Sequence, residues 1–169
     1  THVVPMLNLR LTTEDLIDIY SGTMLTWQDG EAIRLVLRPE TDTDTILIKN
    51  KIPELAESLA AAAARRGVQI ETSDQHAADR LEHMPEGLGF VSLSLVISEN
   101  RALKVLELDG VLPSTETIEN GTYPLVKTFH FVSRQDRSPA EQSFLDFLHS
   151  PVVLEILANT GHGLVGHGA

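Results

Sequence analysis

The chain has 169 residues, with 13 Lys and Arg against 24 Asp and Glu, a formal net charge of −11. Its 42% apolar content is ordinary for a globular domain, and a domain of this length buries roughly 70% of its unfolded surface. The acidic balance argues against a nucleic-acid or anionic-membrane partner, and the absence of cysteine excludes a disulfide scaffold, a thiolate metal site and a cysteine nucleophile.

Residues 3–7 are short and apolar and suit a strand. The opening Thr1-His2-Val3-Val4-Pro5-Met6 has neither the basic nor the long apolar region of a signal peptide. It starts inside an apolar run, as a piece of a longer protein does. No apolar run approaches the ~20 residues of a membrane span. Thr12-Thr13-Glu14-Asp15 gives a hydroxyl cap followed by acids, so a helix starts there and stops at Gly22. Residues 32–37 (AIRLVL) read as a strand, and residues 38–45 (RPETDTDT) as a polar loop. The next apolar pattern, from Ile46 to Arg65-Arg66, is helical with a break at Pro53. Residues 68–72 form a short strand and residues 75–84 a polar helix.

Gly87 opens a strand over 87–93, with close backbone approach at Gly87 and Gly89. Residues 102–108 alternate as a strand does and end in the turn Asp109-Gly110. A helix of one to two turns starts at Ser114, and residues 123–132 read as a long strand. Ser138-Pro139-Ala140-Glu141 is a strong helix start: serine cap, proline at the first position, acid at the third. Another helix follows Pro151, and the glycine-rich tail 161–169 is loose. Strands alternating with helices predict an α/β fold with a mixed, mainly parallel sheet.

The loop 38–45 joins a strand to a helix N-terminus, which carries free N–H donors and about half a positive charge. Arg38 could add a guanidinium fork. Arg38, Thr43, Asp44 and Thr45 are therefore the candidate ligand-binding residues, for an oxyanion. Asp42 and Asp44 oppose a dianion unless the ligand brings a proton for them to accept. The competing reading is that the loop only caps its helix and Arg38 pairs with Glu40 or Asp42. A metal loop recruits more acids and a glycine, and the seven histidines are scattered. No G-x-S-x-G elbow, no P-loop and no dinucleotide fingerprint is present, so neither a catalytic constellation nor a cofactor is expected. Trp27 is expected to pack.

Several segments together resemble one family. YSGTMLTW (20–27) looks like the "FSG-x-I-x-x-W" segment of the periplasmic phosphate-binding proteins of ABC transporters, and the strand ending at Arg38 leads, as in that family, into an anion loop and a helix. EGLGFVSLSLV (86–96) resembles its "G-x-I-G-Y-V" strand, and LELDGVLPSTETIENGTYP (106–124) its "I-D-G-V-x-P-T-x-E-N-I-x-x-G-x-Y-P" segment. SPAEQSFLDFLHSP (138–151) matches the family's ending before its last helix. The chain departs from the family in lacking an N-terminal segment. It also replaces the loop glycines: R-x-x-G-S-G-T becomes R-P-E-T-D-T-D-T. Glycine lets a backbone approach an anion closely, which threonine and aspartate hinder.

The resemblance implies a type II periplasmic-binding-protein fold. Residues 1–125 would be its second lobe with the hinge strands, and 126–169 a C-terminal remnant of the first lobe. The strands near 3–7 and 123–132 would run side by side at the hinge. It implies an extracytoplasmic, periplasmic solute-binding component that takes phosphate or a related oxyanion, docks on a membrane ABC permease and is not an enzyme. A stand-alone sensor or assembly domain derived from this fold is the second reading, and a metal-assisted hydrolase the third. The apolar faces of Phe129, Phe131, Phe144 and Phe147 predict a homo-oligomer through the C-terminal helices.

Overall fold

The computed structural model describes residues 10–164, so the expected strand at 3–7 and the end of the tail lie outside the described residues. Helix starts follow the capping residues. In α1 (Thr13–Ser21) the Thr12 hydroxyl accepts from the Asp15 N–H, and the Asp15 carboxylate accepts from the Thr12 N–H. α1 ends at Gly22, whose φ of +91° is the left-handed cap conformation. A side chain there would meet the Arg65 guanidinium at 3.2 Å. That guanidinium donates to the carbonyls of Ile19 and Tyr20 at the end of α1. Pro53 breaks the long helical run into α2 (Thr43–Lys51) and α3 (Leu55–Ala63), as the missing proline N–H demands.

β2 (Arg34–Leu37) is central in a three-stranded parallel sheet, flanked by β3 (Gln69–Ile70) and β4 (Gly87–Gly89). β1 (Arg10–Leu11) and β5 (Glu107–Leu108) form a separate parallel pair. Among the described residues every ladder is parallel, and antiparallel pairing is confined to isolated bridges such as Thr26 with Ala32. Gly89 is required where β4 meets β2, since a Cβ there would lie 2.7 Å from the Val36 carbonyl oxygen. α4 (Asp74–Glu82) follows β3, and α5 (Leu93–Ser98) follows β4. α6 (Thr115–Glu119) and α7 (Pro139–Leu148) each begin with a serine capping box, and α8 (Pro151–Asn159) starts on its proline.

The core gathers Leu16, Ile19 and Tyr20 of α1, Leu35 and Leu37 of β2, and Leu55, Leu59 and Ala62 of α3. Trp27 packs in this core, with its indole N–H donating to the Glu86 carbonyl. Tyr20 stacks on Phe90 with ring centroids 5.8 Å apart.

Three expected strands come out differently. The strand over 87–93 stops at Gly89 because Ser92 becomes the cap of α5. The strand over 102–108 shortens to Glu107–Leu108. Residues 123–132 form no strand, although their composition favours one. A ladder needs a neighbour for its N–H and C=O groups, and among the described residues none lies alongside. The expected neighbour, residues 3–7, lies outside the described residues.

Candidate functional site

Parallel pairing puts the carboxyl ends of β2, β3 and β4 on one edge, where ligands of α/β sheets collect. Arg38 leaves the end of β2. Ser73 and Asp74 open α4 after β3, and Ser92 precedes α5 after β4. Asp42 is the N-cap of α2, and its carboxylate accepts the Asp44 N–H at 2.8 Å. A cleft of about 1800 Å³ opens against Arg38, Thr43, Asp44, Asp74, Ser92 and Lys127.

The Arg38 side chain is only 8% exposed. Its Nη2 donates to Asp42 Oδ2 at 2.5 Å, so of the two partners expected from the sequence the structure selects Asp42 over Glu40. Nη1 lies 3.5 Å from Asp74 Oδ1, an ion-pair distance without hydrogen-bond geometry. Accordingly Nε and Nη1 of Arg38 and Oδ1 of Asp74 are buried without a hydrogen-bond partner. The other Asp74 oxygen accepts from the Ser92 N–H at 3.2 Å and from its hydroxyl at 2.6 Å.

Arg38, Thr43 and Asp44 line the cleft, whereas Thr45 is buried on the inner side of α2. Thr43 is exposed on the cleft side and its hydroxyl accepts from Lys127 Nζ at 3.1 Å. Lys127 also forms an ion pair with Asp44. Thr45 is buried beside a cavity of about 20 Å³, which Arg38 and Asp44 line together with Val36, Leu59 and Ala63. Two residues along a helix turn about 200°, so the Thr43 and Thr45 hydroxyls face different sides.

Burial pushes the Asp42 carboxyl up, but the Asp44 N–H, the Arg38 guanidinium and the Lys127 charge together hold it below the usual carboxylate range. The ionised carboxylate thus sits where a bound anion would: at a helix N-terminus and against a guanidinium. Three carboxylates face two cations, which leaves the cradle near −1.

Asp74, Ser92 and Lys127 were not legible as site residues. Each is a common capping or surface residue in its own stretch, and Lys127 reaches Thr43 from 84 positions away.

A family model described as a PBP superfamily domain matches residues 3–152. The chain belongs to this family. PBP domains of similar sequence include the phosphate-binding protein PstS 2 of Streptococcus pneumoniae serotype 4, which is 32% identical over 81 residues, 48% of this chain and 27% of that protein. The phosphate-binding protein PstS of Bacillus subtilis strain 168 is 23% identical over 145 residues, 83% of this chain and 45% of that protein. A putative phosphate ABC transporter substrate-binding protein from Clostridium perfringens, solved with bound phosphate, superposes with a TM-score of 0.70 at 22% identity, covering 90% of this chain and 61% of that one. PstS from Borrelia burgdorferi gives a TM-score of 0.64 at 19% identity, covering 96% and 66%. The chain therefore spans between 27% and 66% of the length of these proteins. The fold of this PBP domain is the type II periplasmic-binding-protein α/β fold expected from its sequence.

Proposed function

We propose that this chain is the oxyanion-gripping part of an extracytoplasmic solute-binding protein of the phosphate type, a binding protein rather than an enzyme. The observation that carries this reading is Arg38: a nearly buried guanidinium whose Nη1 and Nε lack a hydrogen-bond partner, beside the N-terminus of α2 at the cleft edge. A guanidinium beside free helix-terminal N–H groups attracts phosphate or sulfate. The curated relatives' names as phosphate-binding proteins support the same reading.

In this reading residues 1–125 are one lobe and 126–169 belong with the other. The anion enters the cleft, and its oxygens replace the Asp42 carboxylate on Arg38 Nη2 and take up Nη1. Thr43 donates its hydroxyl, and Lys127 offsets the added charge. Asp42 and Asp44 either turn outward or accept the proton of a protonated oxyanion. Thr45 supports α2 from its inner side. Closure of the two lobes over the anion then creates the form that docks on a membrane permease.

With part of the contacts present and the cradle already near −1, the affinity is about millimolar, near −4 kcal/mol. Calorimetric titration of phosphate into the chain and into Arg38→Ala tests this. Weak binding that disappears in the variant supports the reading, and equal binding in both removes Arg38 from the site. The Arg38–Asp42 pair and the net negative cradle favour a second reading, a stand-alone sensor or assembly domain that has lost the anion. Absence of binding in the parent chain selects it.

A further inference from the structure

Two cations meet where elementary electrostatics disfavours them. A helix N-terminus carries a partial positive charge, so Lys and Arg are stabilising at the opposite end. α2 has such a pair, Lys49 and Lys51, in its last turn. Its first turn nevertheless faces two more cations. Arg38 holds the N-cap Asp42, and Lys127 holds Thr43 and Asp44, the first two helical residues. Lys127 is no local accident of the helix, since it arrives from 84 positions beyond Thr43.

The Asp42 carboxylate feels both cations. Burial pushes its carboxyl up, but the Asp44 N–H, the Arg38 guanidinium and the Lys127 charge more than reverse this. An oxyanion that takes the place of this carboxylate on Arg38 therefore lies in the field of Lys127 as well. The ammonium carries three N–H donors. Among the described residues Thr43 and Asp44 engage two of them, which leaves the third. The side chain lies on the cleft and is 35% exposed. Its flexible four-carbon stem lets the head reach a neighbouring oxygen with little movement of the backbone.

Resting on the oxyanion reading above, we infer that Lys127 goes beyond offsetting charge and is a direct ligand of the anion, donating its third N–H to an oxygen that Arg38 does not hold, while Asp44 competes with the anion for the ammonium. Arg38 stands at the end of β2, and Lys127 lies two residues past Leu125. An anion held by both thus ties together the two parts of the chain read as separate lobes.

The competing account is that Lys127 acts through space, by charge alone. A double-mutant cycle separates the two. Inorganic phosphate is titrated at constant ionic strength into the parent chain, Lys127→Met, Asp44→Asn and the double variant, followed by amide NMR shifts at the α2 N-terminus, with urea midpoints as the check on folding. Losing one charge-assisted hydrogen bond is expected to weaken binding about tenfold in Lys127→Met, and Lys127→Arg restores most of it. Asp44→Asn releases the ammonium and is expected to tighten binding about fivefold in the parent but less than about twofold beside Lys127→Met. Equal tightening by Asp44→Asn in both backgrounds overturns the inference. So does binding that is unchanged in Lys127→Met but abolished in Arg38→Ala, and that result leaves the Arg38 site standing. Binding that Arg38→Ala does not alter, or no binding in the parent, overturns the oxyanion reading and this inference with it.

Discussion

Asp42→Asn separates the two roles that one carboxylate plays. Asparagine caps a helix about as well as aspartate, so α2 keeps its start. What is lost is the charge held against Arg38 Nη2 at 2.5 Å. Removing one partner of a buried pair costs about 3–5 kcal/mol when the other charge is stranded. Here Arg38 retains Asp74 at 3.5 Å, and the cleft admits water, so the expected loss is smaller, about 1–3 kcal/mol. The same change moves the cradle from near −1 to near zero and frees Nη2 for an external oxyanion. The variant is therefore less stable than the parent in urea, and added phosphate restores more of its midpoint than it does for the parent, because a ligand that binds only the folded state stabilises by mass action. A variant as stable as the parent, or one with a phosphate response below the parent's, refutes the idea that Asp42 occupies the anion position.

Other expectations follow from particular residues. Asp42 has a depressed folded pKa, so its contribution is complete above the unfolded carboxylate value and is lost as pH falls through the folded one. Urea midpoints of the parent thus drop below about pH 4 more steeply than those of Asp42→Asn. The Tyr20 hydroxyl is fully buried and unpartnered, so Tyr20→Phe raises stability by about 1 kcal/mol in urea. Burial also raises the Tyr20 pKa, so stability held below the unfolded value near 10 fades above it in the parent, and less so in the phenylalanine variant. Gly89→Ala forces a methyl to within 2.7 Å of the Val36 carbonyl and costs roughly 1–3 kcal/mol, read as a lower melting temperature.

Local chemistry made much of the fold legible. Thr12, Ser114 and Ser138 announce their helices because capping is decided within four residues. Pro53 announces its break for the same reason. The alternation at 123–132 misleads because a strand is a property of two segments, and composition describes one. The loop 38–45 was legible as a candidate because a strand, an arginine and a helix start sit in one stretch. Whether Arg38 faces a ligand or Asp42 is decided by distances. Asp74, Ser92 and Lys127 were out of reach, since only the convergence of β2, β3 and β4 with the segment after Leu125 puts them beside Arg38.

The most direct test of the oxyanion site is a crystal structure of the chain grown with phosphate. An ordered phosphate is expected with an oxygen about 3 Å from Arg38 Nη1, at the α2 N-terminus, with the Asp42 carboxylate displaced from Nη2. An Arg38–Asp42 pair unchanged at 2.5 Å, with phosphate bound elsewhere or not at all, contradicts it.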